Sequence, residues 1–406
     1  MTPALESRIV IVGAGQAGGR AAEEFRSRGH RGPIQLVGAE PHEPYERPPL
    51  SKSVLLGEAE GVPHLLTSER WRELDVELLV GNAAVGCDLD RRTVGLKSGH
   101  ELVFDKLLLS TGTQPRKLES LSSVDMPVHY LRTIDDAEAL RSDLRPGRKV
   151  AIVGGGVIGL EVAAAAVTRG CQVEVVELAD RLLPRAIPPA VSDALVESHR
   201  AKGVAFRFGV GVHSGDAGGI VLTDGQPLRA DLLVVGIGVE PTTDLPSQIG
   251  VGNAAGIQVD ASGMTAHPDV YAAGDVTLQW SPYHGQLLRV ESWANAQDQA
   301  TCTARNILGI DTPYSVLPWF WSDQGDLKLQ VVGDANAEQQ VVRGDPKDGR
   351  FTLFSLRGGE LVGGVAFNNP RDMGALRRLV AAKAKLNSGD LENPQYDLRR
   401  ALKALK

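Results

Sequence analysis

Ile9-Val10-Ile11-Val12-Gly13-Ala14-Gly15-Gln16-Ala17-Gly18 and Val150-Ala151-Ile152-Val153-Gly154-Gly155-Gly156-Val157-Ile158-Gly159 are two copies of one device. Each is an apolar strand running into a Gly-x-Gly-x-x-Gly turn that opens a helix. The first glycine allows the tight turn, the second lets the backbone approach a pyrophosphate, and the third lets helix pack on strand. The helix N-terminus then offers free N–H groups and a positive dipole end to the phosphates. One such turn is weak evidence, because glycine-rich turns are common. Two, each followed by an acid at a suitable distance, predict a two-nucleotide flavoprotein. Glu40 lies 22 residues beyond Gly18, and Glu177 lies 18 beyond Gly159. A carboxylate in that place accepts hydrogen bonds from ribose hydroxyls, and at Glu177 it also repels a 2′-phosphate, which favours NADH. Leu178, Ala179 and Asp180 add no positive charge, whereas Arg181 weighs the other way.

A chain of 406 residues holds about two or three domains. With 42% hydrophobic and 23% charged residues it has the composition of an ordinary globular protein. No apolar run is long enough for a membrane helix. The net charge of −7 gives the whole molecule no electrostatic footprint for nucleic acid. Met1 to Arg8 lack a basic-apolar signal pattern, so the cytoplasm is the expected compartment. Cys87, Cys171 and Cys302 lie far apart, with no Cys-x-x-Cys pair and no metal-ligand spacing. Reduced structural thiols and no metal are expected.

Periodicity places a strand at 8–12, a helix at 16–28 and a strand at 34–38 in the first unit. A proline-rich loop from Pro41 to Pro49 ends in Leu50-Ser51-Lys52. Short strands are expected at 76–80, 83–89, 93–96 and 101–110, closing on Ser110-Thr111-Gly112-Thr113. The second unit repeats the plan with strand 149–153, helix 157–169, strand 172–176 and strand 232–236, followed by Gly236-Ile237-Gly238. The run Asp269 to Ala273, ending in Gly274-Asp275, reads as the first unit resuming after an insertion. From Pro318, alternation at 327–332, 340–343, 351–356 and 361–367 predicts an antiparallel sheet. A helix at 371–386 follows, with Met373, Leu376, Leu379 and Val380 on one apolar face. The expected architecture is α/β: a discontinuous FAD-binding domain at 1–113 and 243–317, a nicotinamide-binding domain at 114–242, and an α+β domain at 318–406.

The two turns, together with Arg47-Pro48-Pro49-Leu50-Ser51-Lys52, Gly274-Asp275 and Pro318-Trp319-Phe320-Trp321-Ser322-Asp323-Gln324, resemble the FAD-dependent, NADH-using ferredoxin reductases, above all the oxygenase-coupled branch. The likeness covers essentially the whole chain. It implies a glutathione-reductase-like fold, two dinucleotide-binding domains with a C-terminal domain, and electron flow from NADH through FAD to a [2Fe–2S] ferredoxin serving a dioxygenase or a P450. A rubredoxin or other one-electron carrier is an alternative acceptor. A different class, an NADH-sensing interaction protein like apoptosis-inducing factor, stays open at this point.

By the same resemblance, Gly13, Gly15, Gln16, Ala17 and Gly18 hold the FAD pyrophosphate and Ala84 meets its adenosine end. Arg47, Lys52, Thr111, Gly112, Arg132, Gly274, Asp275, Ser292, Trp293, Ala296 and Trp321 complete the FAD set. Asp275 is placed at the N-terminus of the helix after its strand, and the two tryptophans border the isoalloxazine; ordinary core packing is the other use of such residues. The family often has an acid directly after the strand-end glycine, where this chain has Ala39, so Glu40 takes the ribose role. NADH falls to Gly154, Gly156, Val157, Ile158, Gly159, Glu161, Glu177, Arg185, Gly236, Ile237 and Gly238. Lys52 and Glu161 match the pair beside flavin N5, with lysine stabilising negative charge and glutamate holding it in register. Their bland alternatives are a surface-loop lysine and a carboxylate favoured near a helix N-terminus; Arg185 could equally be a solvated loop residue. Thiol-dependent relatives carry a cysteine just after the first acidic loop, and residues 41–60 contain none.

Residues 319–406 hold 14 Lys and Arg against 11 Asp and Glu, while the whole chain is acidic. Arg371, Arg378 and Lys385 are expected along one face of the last predicted helix with Arg377 beside them, a surface suited to an acidic ferredoxin or simply solvated.

Overall fold

A computed structural model describes residues 5–58, 61–121, 124–216 and 218–404. The first four residues of the N-terminal lead-in and the last two of the C-terminal region lie outside the described residues. The chain divides into two compact units, one of residues 1–46, 62–114 and 239–318, the other of 47–61, 115–238 and 319–406.

The first unit is built on a parallel sheet with Ile9–Val12 at its centre. Its spatial order is Val270–Ala272, Lys106–Leu109, Ile9–Val12, Ile34–Val37 and Val76–Leu79. Ile9 to Val12 are all buried, which is why a continuous apolar run rather than an alternating one encodes them. Helix Gln16–Ser27 and helix Trp293–Ile307 cover one face through Ala21, Phe25, Ala300 and Ala304. Val94, Leu96, Phe104 and Ile257 cover the other. The run expected as one strand at 101–110 breaks into Glu101–Val103 and Lys106–Leu109. Phe104 is buried between them, and Asp105 accepts a bond from the Arg8 backbone N–H at 2.7 Å, so the chain changes sheets there. The Arg8 guanidinium also holds the Asp105 carboxyl below its ordinary range.

No helix starts at Asp275. Strand Thr277–Ser281 follows it and pairs with Gln286–Leu288, and the next helix begins at Trp293 under a Ser292 cap. The β-rich sequence Thr-Leu-Gln-Trp-Ser explains the difference.

The second unit carries another parallel sheet, ordered Val204–Phe208, Gln172–Glu177, Lys149–Val153, Leu232–Val235 and Val128–His129. Its C-terminal part is an antiparallel sheet of Trp319–Gln324, Leu327–Gly333, Glu360–Phe367, Arg350–Arg357 and Gln339–Asp345. The four expected strands are present, and Trp319–Gln324 adds a fifth. Both sheets contribute to one core, with Leu160, Leu182, Val191 and Leu195 packed in the same cluster as Leu329, Phe351, Leu353 and Phe367. Helix Pro370–Ala381 buries Met373, Leu376, Leu379 and Val380 as its pattern requires. It ends earlier than expected because Lys383 takes a left-handed φ of 49°. Lys385 therefore leaves the helix face on which Arg371 and Arg378 stand, and its backbone forms an isolated antiparallel β-bridge with Glu360 instead.

Phe367 is 1% exposed. Its ring stacks on Phe351 at 5.0 Å between centroids. Phe367→Ala is expected to lower the unfolding free energy by about 3–5 kcal/mol, the cost of emptying a buried aromatic site. Urea unfolding followed by fluorescence checks it; an unchanged midpoint would show that this cluster is not the packed centre of the unit.

Candidate functional site

The glycines of both turns divide by what surrounds them. Gly13 has φ +116°, and a Cβ there would stand 2.1 Å from the Ser110 carbonyl oxygen. At Gly18 a Cβ would stand 1.9 Å from the Gly13 carbonyl oxygen, whereas at Gly15 it would meet nothing within 4 Å. The second turn repeats the pattern. A Cβ at Gly154 would reach 2.5 Å from the Gly236 carbonyl oxygen and one at Gly159 2.2 Å from that of Gly154, while at Gly156 its nearest neighbour is 3.6 Å away. In each turn the outer glycines are demanded by backbone packed against backbone. The middle one faces space into which a phosphate can come close to the helix N–H groups.

The first unit gathers most of the expected FAD residues around its turn. Ser110 Oγ donates to the Gly13 carbonyl at 2.9 Å, and Gln16 Nε2 donates to Gln297 Oε1 at 3.3 Å. Ala17 packs against Gly274, where φ is +87° and a Cβ would lie 3.0 Å from the Ala17 methyl. The Gly274 N–H donates to Gln299 Oε1 at 2.8 Å, and Thr277 Oγ1 donates to the same oxygen at 3.0 Å. Gln299 was not singled out by sequence, since one polar residue on a helix carries no local signal of burial. Asp275 and Trp293 are half-buried, Ala296 is buried, and Ser292 caps its helix by accepting from the Asn295 N–H. Thr111 Oγ1 donates to the Thr242 carbonyl at 2.7 Å, and the Gly112 carbonyl accepts from the Thr242 N–H at 3.0 Å. Glu40 accepts from the Tyr45 hydroxyl, and Ala84 opens the strand paired with Thr93–Leu96.

In the second unit Glu177 ends its strand and turns back onto the glycine turn. Its two oxygens accept from the Gly155 N–H at 2.7 Å and the Ala179 N–H at 2.8 Å. Leu178 is 72% exposed beside it. Arg181 donates to the carbonyls of Ile187 and Pro184, which ties its guanidinium to its own loop. Ile158, Ile237 and Arg185 are exposed, Val157 is half-buried, and the Gly236 N–H is held by the Val153 carbonyl. Gly238 takes φ +101°.

Lys52 and Glu161 meet in this unit. Lys52 follows the short 3₁₀ turn Pro48–Ser51, and Glu161 lies in the first half of helix Val157–Thr168. Lys52 Nζ donates to Glu161 Oε2 at 2.7 Å and to the Pro48 carbonyl at 3.1 Å. Glu161 is 3% exposed, a burial that a carboxylate tolerates only when paired and hydrogen-bonded. Ser51 Oγ also donates to Oε2, and Ser322 Oγ donates to Oε1 at 2.7 Å. Both serines sit inside the two most specific motifs of the sequence, yet neither was assigned a role, because a hydroxyl in a motif does not disclose its partner. Arg47 donates to the Arg132 carbonyl at 2.5 Å, just before the capping box of Thr133 and Asp136. Trp321 is half-buried with its ring 5.5 Å from that of Trp319, and the Arg377 guanidinium lies 3.8 Å over Trp319. Arg377 is thus engaged in a cation–π contact. Among the described residues no cluster of three or more His, Cys, Asp or Glu is arranged to hold a metal ion, and no helix is long and apolar enough to cross a membrane.

The family description for pyridine nucleotide-disulphide oxidoreductases matches residues 7–300, and that for the reductase C-terminal domain matches residues 319–402. The ferredoxin–NAD(+) reductase component of the p-cumate 2,3-dioxygenase system of Pseudomonas putida is 43% identical over 395 residues, covering 97% of this chain and 98% of that protein. The corresponding component of the anthranilate 1,2-dioxygenase system of Burkholderia cepacia is 42% identical over 401 residues, covering 97% and 99%. The crystal structure of the covalent putidaredoxin reductase–putidaredoxin complex matches with a TM-score of 0.94 and 32% identity over 98% of this chain and 99% of that one. The α/β fold with two dinucleotide-binding domains and a C-terminal domain is the fold of these proteins.

All three thiols are free. Burial, aided by Asp88, pushes Cys87 up to about 11, and burial raises Cys171 and Cys302 as well. A raised value means that the reactive thiolate is absent below it. Iodoacetamide at pH 8 should therefore label the native protein far more slowly than the urea-unfolded chain, with Cys87 labelling rising only toward pH 11. Fast native labelling at pH 8 would restore a thiol to the list of reactive groups.

Proposed function

We propose that this chain, which belongs to the pyridine nucleotide-disulphide oxidoreductase family, is an NADH-dependent reductase of a [2Fe–2S] ferredoxin that serves an oxygenase. The observation that carries the reading is the buried ion pair of Lys52 and Glu161, built on the helix that the second glycine turn opens. It stands in a chain whose relatives over nearly its full length are named as ferredoxin–NAD(+) reductase components. FAD is assigned to residues 1–113 and 243–317, NADH to 114–242, and 318–406 form the C-terminal domain. Three free thiols with raised values suit a reducing compartment, and the cytoplasm is the proposed one.

FAD, when bound, accepts a hydride from NADH and passes the electrons on singly. The residues of this chain bind and orient. The open face at Gly15 and the N-terminus of helix Gln16–Ser27 receive the FAD pyrophosphate, and Glu40 its ribose. Gly156 and the N-terminus of helix Val157–Thr168 do the same for NADH, with Glu177 on its ribose. Leu178 next to Glu177 is uncharged and the Arg181 guanidinium is tied to the carbonyls of its own loop, which supports NADH over NADPH. Lys52 supplies fixed positive charge, and Glu161 holds it in place. Hydride transfer asks for orientation and charge rather than an acid–base group, and the site provides those.

Anaerobic addition of NADH and a [2Fe–2S] ferredoxin to the purified protein should bleach the ferredoxin catalytically, and NADPH should do so far more slowly. Lys52→Ala is expected to slow flavin reduction in the stopped flow about 100-fold, the scale of a lost preorganised electrostatic contact, with FAD retained. Glu177→Arg should narrow or reverse the preference for NADH. Ferredoxin that stays coloured while rubredoxin is reduced would reassign the acceptor, and an unaltered reduction rate in Lys52→Ala would remove the role given to the pair.

A further inference from the structure

A line of buried polar groups runs through the second unit from Glu161 to His199. Ser322 Oγ donates to Glu161 Oε1 at 2.7 Å, and Gln324 Nε2 donates to Ser322 Oγ at 3.1 Å. His199 Nε2 stands 2.7 Å from Gln324 Oε1. Ser322 and Gln324 are both fully buried, and His199 is buried at the end of helix Pro189–Arg200. The direction of every bond is set by chemistry. An amide oxygen only accepts, so His199 carries its proton on Nε2. An amide nitrogen only donates, so Ser322 accepts from it and turns its own hydrogen toward the carboxylate. His199 Nδ1 is buried with no hydrogen-bond partner, so a second proton on the ring would find no acceptor. Burial pushes His199 below the usual histidine range, outweighing its bond to Gln324.

Such a line is an expensive way to fill a core. Strand Trp319–Gln324 aims two polar side chains, Ser322 and Gln324, into an interior where apolar residues would pack without needing partners. Its outcome is local to Glu161. Oε1 is taken by Ser322, and Oε2 is left to Lys52 and Ser51. We propose that Ser322, Gln324 and His199 are positioning residues for the Lys52–Glu161 pair, a one-way hydrogen-bond chain that fixes the rotation of the Glu161 carboxylate and so the place of the lysine charge. The inference rests on the role given to that pair above.

The test uses the FAD-loaded enzyme and three variants: Lys52→Ala, Ser322→Ala and Gln324→Met. Stopped-flow titration with NADH separates the limiting rate of flavin reduction from the dissociation constant of NADH. Ser322→Ala should lower the limiting rate about tenfold, the effect of one hydrogen bond to a charged group, and Gln324→Met about threefold, the smaller effect of a neutral one, while the dissociation constant stays within about twofold. Flavin content should match the parent, while Ser322→Ala, which leaves a buried carboxylate oxygen without its donor, should melt somewhat lower yet remain folded at the assay temperature. ¹⁵N NMR of the parent should show His199 neutral with its proton on Nε2, and Gln324→Met should lose that tautomer preference. If Lys52→Ala is slow but the other two variants reduce at the parent rate, the positioning role is overturned and the pair's own role stands. If Lys52→Ala is itself unimpaired, the reading of the pair fails and takes this proposal with it. A parent His199 protonated on Nδ1 overturns the chain directly, whatever the variants do.

Discussion

A carboxylate taken almost wholly out of water must be given donors, and that demand at Glu161 organises the second unit. The carboxylate and its donors come from three distant stretches of chain: Ser51 and Lys52 after the proline-rich loop donate, Glu161 on the helix of the glycine turn accepts, and Ser322 on the first strand of the C-terminal sheet donates. The same three stretches, 47–61, 115–238 and 319–406, make up the unit. The apolar core that joins the two sheets supplies most of the free energy of the association, since hydrophobic burial is the large non-directional term. The buried carboxylate supplies its register. An apolar core tolerates small slips, whereas a hydrogen bond to a buried charge weakens steeply when its partner moves.

The two glycine turns show how far one local solution can be reused. In the first, the carbonyl of Ser110 occupies the space a Cβ at Gly13 would need; in the second, the carbonyl of Gly236 does so for Gly154. Both carbonyls come from the residue just after a strand that neighbours the turn's own strand, Lys106–Leu109 in one unit and Leu232–Val235 in the other. Close approach of the neighbouring strand's end is therefore part of the device, and the fingerprint is a statement about three segments rather than one. The acids diverge. Glu177 is held by two backbone N–H groups of its own unit, while Glu40 accepts from a tyrosine hydroxyl.

Sequence reveals what local patterns encode and hides what distant neighbours decide. The turns, their strands and the apolar face of helix Pro370–Ala381 were all legible, because each follows from a short period or a fixed spacing. The end of that helix was not, since nothing in Ala382-Lys383-Ala384 announces a left-handed residue. Nor was the break at Phe104-Asp105, which depends on the Arg8 N–H meeting Asp105 from elsewhere in the chain. Asp275 was placed before a helix by resemblance, and a strand stands there instead. The burial of Ser322 and Gln324 was invisible for a deeper reason. On a strand, alternation reads polar residues as facing water, and here the polar side is the buried one.

Burial also decides which ion pairs of this chain can hold a reactive geometry. Lys202 and Asp326 form a close contact, but the aspartate side chain is 83% exposed, and water competes for both partners. Such a pair contributes little and fixes nothing. In the Lys52–Glu161 pair the anion is inside and the cation lies toward the surface, with side chains 2% and 22% exposed. The carboxylate cannot trade its partners for water, so the ammonium is held by an acceptor that does not move. In the role proposed for the pair, a charge anchored from behind in this way would be oriented before the ligand arrives, with nothing to reorganise as negative charge develops in front of it. The same pair drawn on the surface would have the same two residues and the same distance, and would lack that property.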